Sequence, residues 1–238
     1  MIKSSVTISL VPSLKGGPWI YWDDLEISMA KAKDLGFDGI ELFTASSDAV
    51  DSNILSQLLT DTGIKLSAAG SGAGRVLHQL HLTHPEKNIR EKAQSFIKEM
   101  IDFAGPLGAP VIIGSMQGQL DKQIDPDKSY EWLAEGLKKN ADHANTFGVN
   151  LIYEPLNRYE TNMFNRLGDA VSFLKKHKIE NVVLLADLFH MNIEEDDIKQ
   201  AIVTAGDKLG HLHVCENNRK LPGQGHIPWV GVAQAINQ

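Results

Sequence analysis

The feature that most constrains the fold of this chain is a regular alternation between short apolar runs and longer amphipathic stretches. The short runs are rich in β-branched residues, as are strands of a parallel sheet that is buried on both faces. They are Val6–Val11, Gly39–Phe43, Lys65–Ala69, Pro110–Gly114, Val149–Glu154, Asn181–Asp187 and Gly210–Cys215. Strict alternation of strands and helices predicts a parallel sheet, either open and doubly wound or closed into a (β/α)8 barrel.

Glycines mark where several predicted helices end. Gly36, Gly63, Gly108 and Gly148 each precede a predicted strand, where a left-handed residue turns the chain back into the sheet. Asp125-Pro126 has the pattern of a helix start, because proline is tolerated in the first turn. The repeating unit is therefore strand, helix, glycine, strand.

The positions of the polar residues favour the barrel over the open sheet. Glu154, Asp187 and His213 lie at the carboxyl ends of three different predicted strands. A barrel gathers such side chains at one rim, whereas an open sheet has a single crevice at its switch point. We therefore predict that residues 1–238 form one α/β domain, a (β/α)8 TIM barrel.

The composition excludes several classes of protein. The chain has 238 residues, 23 lysines and arginines against 30 acidic residues, and a formal charge of −7, which argues against a nucleic-acid partner. The single cysteine, Cys215, allows neither an internal disulfide nor a paired-cysteine zinc site. No run approaches the roughly 20 apolar residues of a membrane span, and Met1–Leu10 does not read as a signal peptide. We expect a soluble, cytoplasmic protein without a membrane partner.

Two apolar runs end in a carboxylate that must be paired or metal-bound if it is buried. The first run delivers Glu154, and a salt bridge between Glu154 and Arg158 is the structural alternative to a functional role. The second delivers Asp187 with His190 three positions later. There the alternative is that Asp187 caps a helix beginning near Glu194 while His190 merely packs in a loop.

A third strand carries histidines that suit a metal site. His211 and His213 alternate onto the same face of their strand, so either is a candidate ligand. Imidazole together with two carboxylates suits Mn²⁺, Co²⁺, Mg²⁺ or Zn²⁺ better than Ca²⁺. Arg219 follows in a polar loop that suits an anionic or hydroxyl-rich ligand, although a solvated surface loop has the same composition.

Three ordered motifs carry a resemblance to a known family. They are Glu154-Pro-Leu-Asn-Arg-Tyr-Glu160, Ala186-Asp-Leu-Phe-His-Met-Asn-Ile-Glu-Glu195 and His211-Leu-His-Val-Cys-Glu-Asn-Asn-Arg219. With Pro222-Gly-Gln-Gly225 and Leu82-Thr-His-Pro85, they resemble the D-tagatose, D-psicose and 5-keto-gluconate epimerases of the xylose isomerase-like TIM barrels.

The resemblance implies a metal-dependent epimerase that inverts C3 of a ketose or keto-sugar acid through a cis-enediolate. It implies that Glu154, Asp187 and His213 bind one divalent metal ion, Mn²⁺ in preference to Mg²⁺, Co²⁺ or Zn²⁺. Glu154 would also be catalytic, and Glu160, His190 and Arg219 would contact a small sugar substrate. Dimers and tetramers are common in the family, although no segment of this sequence indicates an interface.

The resemblance also raises an expectation about the end of the chain. In the family, a second catalytic glutamate lies on the eighth strand, whereas this sequence ends at Gln238 after the seventh predicted strand and a helix. We therefore expect a C-terminally incomplete barrel in which the eighth βα unit is missing. Two other functions remain open at this point: an aldose–ketose isomerase like hydroxypyruvate isomerase, and a sugar-binding relative without turnover.

Overall fold

The strands of the protein form one parallel sheet in chain order. The computed structural model describes residues 2–237, which contain seven strands, each hydrogen-bonded to the next. They are β1 (Ser5–Ser9), β2 (Gly39–Phe43), β3 (Lys65–Gly70), β4 (Val111–Ile113), β5 (Leu151–Tyr153), β6 (Val182–Asp187) and β7 (Leu209–His213). This unbroken order is that of a TIM barrel and not of a doubly wound sheet, so the predicted fold class is confirmed.

The helices lie between the strands and cover the outer face of the sheet. They are α1 (Leu25–Asp34), α2 (Ser52–Thr62), α3 (Ala73–His78), α4 (Lys87–Ala104), α5 (Pro126–Asn145), α6 (Leu167–Lys176), α7 (Leu188–Glu194), α8 (Ile198–Ala205) and α9 (Trp229–Ile236). In α4, Ala93, Ile97, Met100 and Ile101 are almost fully buried, as the spacing of apolar residues by three and four predicts.

The predicted helix boundaries are confirmed at several positions. Gly36, Gly63, Gly108 and Gly148 have φ angles of 80°, 72°, 73° and 70°, in the left-handed region that glycine adopts without a steric penalty. Asp125 caps α5 by accepting a hydrogen bond from the Asp127 amide at 3.0 Å. Of the described helices, none is long and apolar enough to cross a membrane.

The sheet is curled, and its inner face carries both apolar and charged residues. Ala68, Ile112, Ile152 and Leu185 form a small buried cluster that is separate from the main core under the helices. Glu41 pairs in register with Ala68, and His211 pairs with Leu185, so both belong to the same row. Glu41 Oε2 and His211 Nε2 lie 2.8 Å apart, so the curl brings β2 and β7 together across the inner face.

Candidate active site

Three side chains predicted from the sequence to be neighbours converge at the carboxyl ends of β5, β6 and β7. His213 Nδ1 lies 3.6 Å from Glu154 Oε1 and 3.5 Å from Asp187 Oδ2. Glu154 and Asp187 are buried, and the His213 side chain is 25% exposed. One nitrogen and two carboxylate oxygens therefore face a common point that remains open to solvent on one side.

The backbone around Glu154 fixes the direction of its side chain. The Glu154 amide donates to the Ile113 carbonyl of β4 at 3.0 Å, which extends the β4–β5 pairing by one step beyond Tyr153. Gly114 lies beside the carboxylate: a Cβ atom at that position would be 2.6 Å from Glu154 Oε2. The missing side chain of Gly114 thus provides the space that Glu154 occupies.

Asp187 uses its two carboxylate oxygens for different purposes. Oδ1 accepts hydrogen bonds from the amides of Phe189 at 2.8 Å and His190 at 3.2 Å, which caps α7. Oδ2 accepts from Arg219 Nη1 at 2.7 Å and faces His213. Asp187 therefore does cap a helix, as the alternative stated, but that helix begins directly after Asp187 and not near Glu194.

The charges around Asp187 stabilise its ionised form. Burial alone would raise its pKa, but the hydrogen bond with His213 and the charges of His190 and Arg219 hold the pKa of this carboxyl well below its usual range. In turn, the carboxylates around His213 outweigh its burial and raise the pKa of the imidazole well above the ordinary value. Without a bound cation, protonated His213 therefore partly balances the negative charge of the site.

His190 lies beside the same carboxylates and is held by the loop after β5. Its Nε2 atom is 3.9 Å from Glu154 Oε1 and 4.0 Å from Asp187 Oδ2. Its Nδ1 atom accepts from the Asn157 amide at 3.3 Å. The Asn157 side chain also donates to Glu160 at 2.9 Å, which brings Glu160 to the edge of the site with its side chain 48% exposed.

Arg219 reaches the site from the loop after β7. It has a φ angle of 60°, and its guanidinium lies 4.1 Å from the centre of the Phe189 ring while it binds Asp187. Arg219 Nη2 is also 3.3 Å from His190 Nε2. Burial opposes the charge of Arg219, but Asp187 prevails and raises the pKa of the guanidinium further.

Arg158 does not neutralise Glu154. Its Nε atom binds Glu194 Oε1 at 2.9 Å and its Nη2 atom binds Glu194 Oε2 at 2.9 Å, in a bidentate pair. The salt-bridge alternative for Glu154 is therefore wrong. The buried Glu154 carboxylate lies instead beside the imidazoles of His190 and His213.

The sequence prediction missed Glu41, a buried carboxylate on β2. Its Oε2 atom is 2.8 Å from His211 Nε2, and both of its oxygens are 3.1 Å from His213 Nε2. Burial opposes ionisation, but the two imidazoles lower the pKa of Glu41 well below its usual range. The one signal in the sequence was a charged residue within the apolar run Gly39–Phe43, all of which is buried.

The donor set at the strand ends fits a divalent cation. Glu154, Asp187 and His190 have potential ligand atoms within 4.8 Å of one another, and so do Glu41, His211 and His213. His213 Nδ1 faces the first group and its Nε2 faces the second. Buried carboxylates and imidazoles together are ligands that manganese, cobalt and zinc prefer.

Comparison with known proteins places these residues in a family. The family model described as xylose isomerase-like TIM barrel matches residues 29–238. A D-psicose 3-epimerase of Ruminiclostridium cellulolyticum is 35% identical over 231 residues, which are 92% of this chain and 77% of the relative. A 3-dehydro-D-guloside 4-epimerase of Escherichia coli K12 is 28% identical over 205 residues, which are 82% of this chain and 75% of that protein.

A solved structure is also similar to this chain. The D-psicose 3-epimerase of Clostridium cellulolyticum H10, determined with D-tagatose, superposes with a TM-score of 0.80 at 32% sequence identity. The match covers 99% of this chain and 81% of that chain. The curled sheet of this chain is thus similar in fold to the sheet of an enzyme solved together with D-tagatose.

Proposed function

Because this chain belongs to the xylose isomerase-like TIM barrel family, we propose that it is a sugar epimerase that acts at C3 of a ketose and depends on a divalent metal ion. The observation that carries the proposal is the convergence of Glu154, Asp187 and His213 at the carboxyl ends of three adjacent strands. The 35% identical D-psicose 3-epimerase supports the choice of C3.

The metal would be held by Glu154 Oε1, Asp187 Oδ2 and His213 Nδ1, the atoms that face one another at the rim. A divalent cation bound there would polarise the sugar oxygens beside the reacting carbon and acidify its proton. Asp187 can ligate without losing its structural role, because its other oxygen caps α7. Among the metals that suit this donor set, we propose Mn²⁺.

The proposed role of Glu154 is to remove the proton from C3. Its carboxylate sits at the end of β5 in a fixed orientation, with Gly114 leaving space on one side and the site open on the other. A positioned carboxylate next to an acidified C–H bond is a general base. Glu154 alone serves one face of the carbon, so it suffices for proton exchange at C3, whereas inversion requires a second proton donor on the opposite face.

Arg219, His190 and Glu160 are proposed to bind the sugar. Arg219 is a hydrogen-bond donor beside the carboxylates, with Nη2 at 3.3 Å from His190 Nε2, and it can stabilise negative charge that develops on substrate oxygens. Glu160 lies further out and is half exposed, as a residue that accepts a hydrogen bond from a sugar hydroxyl would be. Its link through Asn157 fixes its distance from His190.

Isotope exchange tests the proposal. The protein is incubated with Mn²⁺ in deuterium oxide together with D-psicose, D-tagatose or L-ribulose, and the position of any deuterium is read by NMR. We expect deuterium at C3, and loss of that exchange in Glu154→Gln. Deuterium at C1 would indicate an aldose–ketose isomerase instead. Binding of sugar and metal without any exchange would indicate a protein without turnover, and the proposed activity would then be wrong.

A further inference from the structure

Glu41 occupies a position that the proposed chemistry does not use. Its carboxylate is 7% exposed and lies between two imidazoles of β7, with Oε2 at 2.8 Å from His211 Nε2 and at 3.1 Å from His213 Nε2. The contacts join residues 170 and 172 positions apart in the chain. Burying a carboxylate is costly, so a position that retains one calls for a specific explanation.

The two ring nitrogens of His213 face different groups. Nε2 faces Glu41, whereas Nδ1 faces Glu154 and Asp187 at 3.6 and 3.5 Å. An imidazole whose one nitrogen donates to a carboxylate keeps its proton there and presents the lone pair of the other nitrogen. Such a carboxylate also fixes the rotation of the ring and increases its basicity as a ligand.

Glu41 itself is held rigidly, so it can impose an orientation on His213. It lies on β2, between β1 and β3, and the five residues of β2 are all buried. His211 provides a second anchor, because it binds the same carboxylate from the same strand as His213, and its ring lies nearly perpendicular to that of His213 at 81°. The carboxylate therefore cannot rotate away without breaking both contacts.

We propose that Glu41 is a positioning residue: it fixes the ring of His213 so that Nδ1 points at Glu154 and Asp187 and is ready to bind the divalent ion. The inference rests on the proposed function, since it assigns His213 Nδ1 to the metal. Glu41 contacts neither the ion nor the sugar. Removing its charge releases the His213 ring and weakens metal binding without removing a ligand.

Metal affinity of the Glu41→Gln variant tests this. Glutamine has the same size but loses the charge, and the nitrogen that replaces one carboxylate oxygen can only donate. By comparison with other partners of metal-binding histidines, the dissociation constant for Mn²⁺, measured from the EPR signal of free Mn²⁺, should rise roughly 10- to 100-fold. Saturating Mn²⁺ should restore most of the exchange activity, because the ligands themselves remain. Glu41→Asp, which keeps the charge but withdraws the carboxylate, should give a smaller loss and provides the test if Glu41→Gln does not fold.

Glu194→Gln is the matched control. Glu194 is also a buried glutamate that pairs with a basic residue, but its partner is Arg158 and not a histidine of the site. This control should lose thermal stability and keep the Mn²⁺ affinity. Equal Mn²⁺ affinity in Glu41→Gln and the unaltered protein would overturn the inference while leaving the proposed function standing. So would two bound ions in the unaltered protein with one lost in Glu41→Gln, since Glu41 would then be a ligand. An unaltered protein that binds no divalent ion would overturn the proposed function as well.

Discussion

At the scale of single residues, the position of the Glu154 carboxylate depends on the absence of a side chain at Gly114. A Cβ atom on Gly114 would lie 2.6 Å from Glu154 Oε2, closer than non-bonded atoms approach. The carboxylate would have to leave its present position beside His213, because its own backbone is fixed by the β4 carbonyl of Ile113. Gly114 therefore helps to form the site, because the space of its missing side chain is taken by the Glu154 carboxylate.

Gly114→Ala should consequently impair the site more than the fold. We expect at least a tenfold weaker Mn²⁺ affinity and about a hundredfold slower exchange at C3, since a misplacement of about 1 Å at a reacting group costs that much. Calorimetry and the deuterium assay measure the two effects. Gly168→Ala, in α6, is the control. Its Cβ would lie 3.7 Å from the Thr204 side chain, an ordinary van der Waals contact, so activity should be unchanged. Full metal affinity in Gly114→Ala would contradict this explanation.

The strand-end residues of the candidate site were predictable from the sequence, but their partners were not. Glu154, Asp187 and His213 each end an apolar run, and parallel strands in barrel order bring such ends to one rim. Glu41 was missed because its relation to His213 arises only from the curl of the sheet. The alternative that paired Arg158 with Glu154 was wrong because proximity in sequence says nothing about the direction of a loop, and Arg158 binds Glu194.

At the scale of secondary-structure elements, the ends of β4 and β5 are joined by a buried amide. Gln117 accepts from the Tyr153 hydroxyl at 2.6 Å, and its Nε2 donates to the carbonyls of Gly114 and Glu154, both at 3.0 Å. Gln117 and Tyr153 are fully buried. This network holds the backbone of Glu154 in place.

Gln117→Leu should therefore destabilise the protein. It removes the partner of the Tyr153 hydroxyl and of the Glu154 carbonyl, whereas the Gly114 carbonyl keeps its hydrogen bond from the backbone amide of residue 117. At about 1–3 kcal/mol for each buried group that stays unpaired, we expect a total loss of roughly 2–6 kcal/mol in urea unfolding. Adding Tyr153→Phe removes one of these unpaired groups. The double variant should thus be no less stable than Gln117→Leu alone, and purely additive losses would argue against the network.

The loop between α3 and α4 contains a buried histidine whose protonation opposes folding. His81 is 5% exposed, and its burial, together with the charges of Arg75 and His84, lowers the pKa of His81 to about 3. The unfolded chain binds a proton at this residue near pH 6.5, whereas the folded chain does not until about pH 3. Over that window, His81 makes the free energy of unfolding fall by about 1.4 kcal/mol for each unit of decreasing pH.

The His81→Gln variant should not show this decrease in the free energy of unfolding at acidic pH. Near pH 7.5, both folded and unfolded forms of the unaltered protein hold His81 neutral, so the stability difference between the two proteins there reflects packing alone. As the pH is lowered from 6.5 to 4, the variant should gain relative to the unaltered protein by about 1.4 kcal/mol per unit. Urea unfolding at half-unit pH intervals measures this difference. A difference that stays constant with pH would show that His81 takes up its proton in the folded state.

Helix and strand positions followed from local chemistry except where a functional residue also starts an element. The glycine ends and the apolar runs placed the strands within two residues of their observed bounds. The alternative in which Asp187 caps a helix placed the start of that helix near Glu194, whereas α7 begins at Leu188. The Asp187 side chain caps α7, which therefore begins one residue after Asp187. The sequence, an apolar run followed by Leu-Phe-His, does not show that Asp187 forms this cap.

At the scale of the whole molecule, acidic and basic side chains from distant strands meet on the inner face of the sheet. Glu41 comes from β2, while Glu154, Asp187 and His213 come from β5, β6 and β7. β2 and β7 are not hydrogen-bonded neighbours among the described strands, so their contact inside the curl is made by side chains. A divalent ion bound by β5, β6 and β7 would therefore connect three strands and, through His213, the fourth.

Metal binding should for this reason be visible as stability. An ion that binds only the folded state adds about 2.7 kcal/mol at a hundredfold excess over its dissociation constant, which corresponds to a rise in Tm of roughly 5–10 °C for a chain of this size. Calorimetry with Mn²⁺ and with EDTA measures this shift.

Asp187→Asn should abolish most of this Tm shift while α7 stays formed, because asparagine keeps an oxygen that can cap the helix. Glu194→Gln should have a lower Tm but keep the full shift, since its carboxylate binds Arg158 and faces no ligand. An identical Tm in Mn²⁺ and EDTA would mean that the converging carboxylates and imidazoles balance one another as an ion-pair network, and the strand ends would then need no metal to stay together.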